Sequence, residues 1–140
     1  MKKNETIKHL LKRLEGDGLD FKDEQSGFVE DGKFWRADSL YKAVDEQKIK
    51  VTQYDLKYFN FRNNAMSCNR YDIFINHMSR VLLCDTNIPI LISPEGLVVD
   101  GYHRILKRIL IDKKMRIPCY VLNKMPDHDE ERMNGKWVKV

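Results

Sequence analysis

Cysteine is scarce in this chain: Cys68, Cys84 and Cys119 are the only three in 140 residues, odd in number and widely spaced. That argues against a disulfide framework, and free, mostly buried thiols are expected. No CxxC or HxxxH pair occurs, so the ligand spacing of a zinc site is missing too. No apolar run approaches the roughly 20 residues a membrane span needs. The opening "MKKNETIKHLLKRLEG" is broken by charge and lacks a leader's apolar stretch. It reads as a mature cytoplasmic start, with no membrane partner expected. Internal repeats, low-complexity tracts and linkers are also missing.

What remains is an ordinary globular composition, 42% hydrophobic and 33% charged. A chain of this length makes about one domain and buries roughly 70% of its unfolded surface. The net charge of +4, from 25 basic and 21 acidic residues, is compatible with an anionic ligand. Many solvated surfaces carry the same excess.

Along the chain, Ile7, Leu10, Leu11 and Leu14 form the stripe of an amphipathic helix, stopped by Gly16 and Gly18. Residues 19–34 are polar and patternless and read as loop, with Phe28 and Phe34 as anchors. "ADSLYKAVDEQK" predicts a helix capped by Asp38 or Ser39, with Leu40, Ala43 and Val44 on its buried face. "IKVTQYDL" predicts a strand, and "KYFNFRNNAMSCNR" a loop carrying aromatics. "YDIFINHMSRVLL" places Ile73, Phe74, His77, Met78, Val81 and Leu82 on one helical face. "IPILI" and "LVV" flank the turn "SPEG" and predict a hairpin. A helix follows from about 102 to 112, burying Ile105, Leu106, Ile109 and Leu110. "IPCYVL" reads as a last core strand, and the tail "MPDHDEERMNGKWVKV" ends in a segment able to dock as an extra strand. Helices and strands mixed without a βαβ rhythm predict an α+β fold. The expectation is one domain over 1–140: a helical part at 1–48, a core at about 49–122 and an extension at 123–140.

The densest chemistry lies at "VVDGYHRIL", where a strand hands over to a helix. Asp100-Gly101 suits a sharp change of direction. The first turn of a helix offers unpaired N–H groups and the positive end of its dipole, a natural phosphate seat. Arg104 can make paired contacts with phosphate oxygens, and His103 can donate a hydrogen bond or move a proton near neutral pH. Cations at this pole oppose the dipole by roughly 0.3–1 kcal/mol each, a conflict that a bound anion would remove. Competing with this is a purely structural reading: Asp100 as cap, Gly101 as turn, Arg104 as ion-pair partner. His77 and Arg80, three apart, share a helix face, and His77 can equally be a core histidine. Asp85 could hold a basic group or Mg²⁺, or merely bond within its loop. The basic set Arg104, Lys107, Arg108, Lys113, Lys114 and Arg116 could be a nucleic-acid footprint or solvated helix and turn positions.

"NHMSRV", Asp85, "IPILI" and "DGYHR", in that order over about residues 70–122, resemble the ParB/sulfiredoxin-like superfamily, and most closely its small standalone ParB-like members. Weaker likeness extends to "FWRADSLYKAV" and "IKVTQYDL". The resemblance implies a compact domain in which a small mixed sheet is flanked by helices. It also implies a nucleotide or other phosphate-bearing ligand held by Gly101, Tyr102, Arg104, His77 and Arg80. Asp100 and His103 would be the candidate catalytic residues, Asp85 a metal ligand, and the cofactors a nucleoside tri- or diphosphate with Mg²⁺. Hydrolysis of the nucleotide or transfer of its phosphoryl group would be the reaction. Sulfiredoxins carry a reactive cysteine where this chain has Tyr102, so sulfinic-acid reduction is not expected. The helix-turn-helix region of chromosome-partitioning members has no counterpart here. Free-serine kinases of the superfamily are also similar around Asp-Gly-x-His-Arg, but the resemblance assigns their catalytic glutamate to no particular position, Glu30 and Glu46 included. The alternative is a non-catalytic module for nucleic acid or protein. A nuclease ranks lower, because no carboxylate cluster suits two metals.

Overall fold

The computed structural model describes residues 27–60 and 70–140, together with His9. The helix expected on Ile7, Leu10, Leu11 and Leu14 and the residue Cys68 lie outside the described residues.

The elements in chain order are β1 (Gly27–Glu30), β2 (Lys33–Arg36), α1 (Ala37–Glu46), β3 (Thr52–Asp55), a 3₁₀ turn (Leu56–Tyr58) and α2 (Tyr71–Leu83). They continue with β4 (Ile90–Ile92), β5 (Val98–Asp100), α3 (Tyr102–Leu110), β6 (Arg116–Val121), β7 (Glu130–Met133) and β8 (Lys136–Lys139). The fold is α+β, as expected. Its central sheet runs β3-β6-β4-β5. The predicted hairpin is the antiparallel β4–β5 pair. The "IPCYVL" strand lies parallel to β4 and antiparallel to β3.

The unbroken apolar runs of β4 and β5 have a physical reason. Ile90, Ile92 and Val98 join Ile105, Ile117, Cys119, Leu56 and Phe59 on one face. Leu91 and Val99 join Leu40, Ala43, Val44, Trp35 and Leu122 on the other. A strand buried on both sides has no polar face to alternate. Thus α3 covers one face of the sheet, and α1 with Trp35 covers the other. Among the described residues no helix is long and apolar enough to cross a membrane. Cys119 is buried and Cys84 half-buried, both as free thiols.

The structure corrects the reading of several segments. Residues 27–34, read as loop, form β1 and the start of β2, joined by Asp31-Gly32 with φ of 51° and 72°. Asp-Gly with both φ positive is a strong hairpin signal, here hidden in a polar stretch. The end of the tail docks as an extra strand, β8, as expected, but the acidic stretch before it forms a strand too, β7, and the two join at Asn134-Gly135 (φ 52° and 78°). These four strands make a second, antiparallel sheet in the order β1-β2-β7-β8. The stretch expected to be helical at 1–48 and the C-terminal extension therefore share one sheet.

Neither Asp38 nor Ser39 is the N-cap of α1. Arg36 holds that position without a side-chain cap bond. Asp129, from the C-terminal extension, accepts the Arg36 N–H (2.8 Å) and the Ser39 hydroxyl (2.9 Å) instead. On α3 only Ile105 is fully buried; Ile109 packs on the core rim and Leu110 is 57% exposed. On α2 the buried residues are Ser79 and Val81, while Phe74 stands 47% exposed. Each stripe read from spacing is wider than the surface available to cover it.

Candidate functional site

The junction begins where β5 ends at Asp100. Gly101 turns the chain with φ 114° and caps α3 without a side-chain bond. A Cβ at Gly101 would stand 2.5 and 2.8 Å from Ile90 Cγ2 and Cβ. Glycine is needed here for its backbone angle and for close packing on β4.

Arg104 lies in the first turn of α3, and its guanidinium reaches back into the protein. Nη2 donates to Asp100 Oδ2 (2.9 Å) and to the Tyr41 hydroxyl (2.7 Å). Nη1 donates to the carbonyls of Pro89 (3.2 Å) and Ile88 (3.3 Å). Tyr41 donates in turn to Asp100 Oδ2 (2.7 Å). The side chains of Arg104 and Asp100 are only 12% and 20% exposed. Burial, and then the Asp100 carboxylate, push the Tyr41 phenol well above the usual tyrosine range, against the opposing pull of Arg104. The triad ties α1, β5 and α3 to the loop before β4, and four acceptors occupy the two terminal nitrogens of Arg104.

A second pair sits beside it. His77 Nδ1 of α2 and His103 Nε2 of α3 are 2.9 Å apart, with rings stacked at 5.2 Å and 22°. A hydrogen bond between two imidazole nitrogens holds one proton, so one ring donates and the other accepts. Burial above all, and then Arg80, His77 and Arg104 against the opposing pull of Asp100, lower the His103 pKa to about 4. His103 is therefore neutral at pH 7. The sequence pattern put two cations at this helix pole, but Arg104 is paired with Asp100 and His103 carries no charge. The conflict with the dipole is thus largely settled inside the protein and does not by itself call for an anion.

The depressed His103 pKa carries a pH prediction. The unfolded histidine titrates near 6.5 and the folded one near 4, so the unfolded state binds more protons between those values. The stabilisation from neutral His103 is present above about pH 6.5 and is lost as pH falls towards 4. Allowing for a half-buried ring, the loss is on the order of 1–2 kcal/mol. Urea unfolding of the protein and of His103→Gln at pH 7 and 4.5 should show the wild type losing more stability than the variant. Equal losses would remove His103 as the cause.

The other singled-out residues divide. Tyr102 donates its hydroxyl to the Val98 carbonyl (2.9 Å), and its ring lies 6.0 Å from that of Phe59. It packs against the core. Asp85 is exposed and accepts the Asn87 N–H (2.9 Å), a loop bond. Among the described residues no group of three or more His, Cys, Asp or Glu side chains could hold a metal ion.

Within the basic set, Lys107 donates to the Leu82 (3.1 Å) and Cys84 (2.8 Å) carbonyls, closing the C-terminus of α2. Arg108 donates to the Arg116 carbonyl (2.8 Å) and pairs with Asp112. With Arg104 they are tied inward; only Lys113, Lys114 and Arg116 are exposed. The junction thus brings together His77, Arg80, Asp100, His103 and Arg104, with Asp85 in the loop after α2.

Tyr41 escaped notice in the sequence. Its only signal is an aromatic hydroxyl beside the buried face Leu40, Ala43 and Val44. Comparison of the chain with protein-family models, with curated proteins and with solved structures gives no match.

Proposed function

We propose that this chain is a ParB-like domain that binds a phosphate-bearing ligand, a nucleotide, where α2 meets the first turn of α3. One observation carries the proposal: His77 of α2 and half-buried His103 of α3 meet at 2.9 Å on the side of the junction where Arg80 and Arg104 also act on His103. Burial first, and then Arg80, His77 and Arg104, oppose His103 protonation, with Asp100 favouring it. The same cations attract an anion. The first-turn N–H groups of α3 have no acceptor within the helix, and that end of a helix favours anions. The order of "NHMSRV", Asp85, "IPILI" and "DGYHR" supports the reading independently.

In this reading His77, Arg80 and His103 face the phosphates. Gly101, Asp100 and Arg104 act as positioning residues that hold the turn. Neutral His103 would accept a proton at pH 7 once a bound phosphate raises its pKa, either from a nucleophile during nucleotide hydrolysis or phosphoryl transfer, or on ligand binding itself. Mg²⁺ would arrive on the phosphates, as is usual for this ion, with Asp85 as the exposed carboxylate able to meet it.

Equilibrium binding of ATP, CTP and GTP with Mg²⁺, followed by product analysis, tests the proposal. Saturable binding of at least one is expected, weakened about tenfold by Arg80→Ala through loss of a charge-assisted contact. The His103 pKa, followed by NMR, should rise when ligand is present. Failure of all three to bind would defeat the proposal.

A further inference from the structure

The outward face of the second sheet has no part in the site above. Register places Arg132 opposite Trp137 and Glu130 opposite Lys139, and Phe34 opposite both Val29 and Glu130. Side chains two apart on a strand share a face, so Val29, Phe34, Arg36, Glu130, Arg132, Trp137 and Lys139 project from one side. Phe28 and Trp35 project from the other, towards α1 and the central sheet. The Phe34 ring lies where a Cβ of Gly27 would be, and Trp137 leans over it at 5.9 Å and 54°. Phe34 is thereby covered, while Trp137 stays 40% exposed.

On the same face stand three cations, Arg132 opposite the indole, Lys139 two residues along its strand and Arg36 on β2 beyond Phe34, against one acid, Glu130. Among the described residues none of the three cations forms an ion pair. An exposed indole on a face that carries unpaired cations offers stacking to a base and charge to the flanking phosphates. A duplex hides its base faces within the stack, and a folded protein partner would ask for a larger apolar area than Val29 and Trp137 provide.

We propose that this face binds single-stranded nucleic acid, with Trp137 as the base platform and Arg36, Arg132 and Lys139 as phosphate contacts. Trp35 is buried, so a base stacking on Trp137 reports through quenching of the exposed indole.

Titration of the full chain with oligo(dT) and oligo(U) of about 12 nucleotides should give saturable quenching. With about three phosphates neutralised, log affinity should fall against log salt with a slope of roughly −2. Trp137→Ala should weaken binding about tenfold, the worth of one stacked base, and Arg132→Glu with Lys139→Glu should weaken it at least as much. Circular dichroism verifies folding. If Trp137→Ala unfolds because Phe34 is uncovered, the charge-reversal variant decides alone. Absence of binding at about 50 mM salt, or unchanged affinity in the folded variants, would overturn the proposal. So would equal binding of a duplex or of an acidic peptide.

Discussion

Replacing Arg104 by alanine should lower stability by about 3 kcal/mol, near the lower end of the cost of breaking a buried ion pair. One guanidinium serves Asp100, Tyr41 and the carbonyls of Ile88 and Pro89, and its removal leaves a mostly buried carboxylate and phenol without their donor. In a domain of this size the melting temperature should fall by roughly 10 °C. Arg104→Lys should recover less than half of the loss, because one ammonium cannot span four acceptors. A double-mutant cycle with Tyr41→Phe should give non-additive losses, as expected of side chains in one network. Were Arg104 held only for an incoming phosphate, its removal would leave stability within about 0.5 kcal/mol. Urea unfolding decides between the two.

Gly101→Ala should be comparably severe. At φ 114° and ψ 19° an L side chain is strained by about 1–3 kcal/mol. The new methyl would also press into Ile90, which is fully buried, and overpacking of this kind costs a further 1–3 kcal/mol. A total near 3–4 kcal/mol is expected in urea unfolding. A loss below about 1 kcal/mol would mean that the turn relaxes freely and that its geometry is not imposed by packing on β4. Because the strain falls on the turn that sets α3, the proposed nucleotide site predicts weaker binding by residual folded Gly101→Ala protein than by the wild type.

Both effects come from residues that the motif reading assigned to phosphate contact, and the contrast shows where local pattern stops informing. In sequence Asp100 reads as a cap and Arg104 as an ion-pair partner, and the structure joins the two, four apart, as one pair. That the pair faces inward depended on Tyr41, some 60 positions earlier in the chain. His77 and His103 were each legible as candidates, but their direct bond depended on how α2 crosses α3. In Lys107 the same basic residue type that suggests a nucleic-acid footprint closes the end of α2. Charge in sequence carries no direction, and neighbouring elements supply it.

The sequence by itself determined the α+β class, the β4–β5 hairpin, α2, α3 and the junction between strand and helix. Those features follow from apolar periodicity, glycine and turn chemistry within a few residues. Tertiary structure alone decided that the two ends of the described chain share a second sheet and that Asp129 closes the start of α1. It also decided that the arginine of the junction is a strut while its histidine stays uncharged. Pairing partners and local dielectric are set by residues distant in the chain, so no window of sequence contains them.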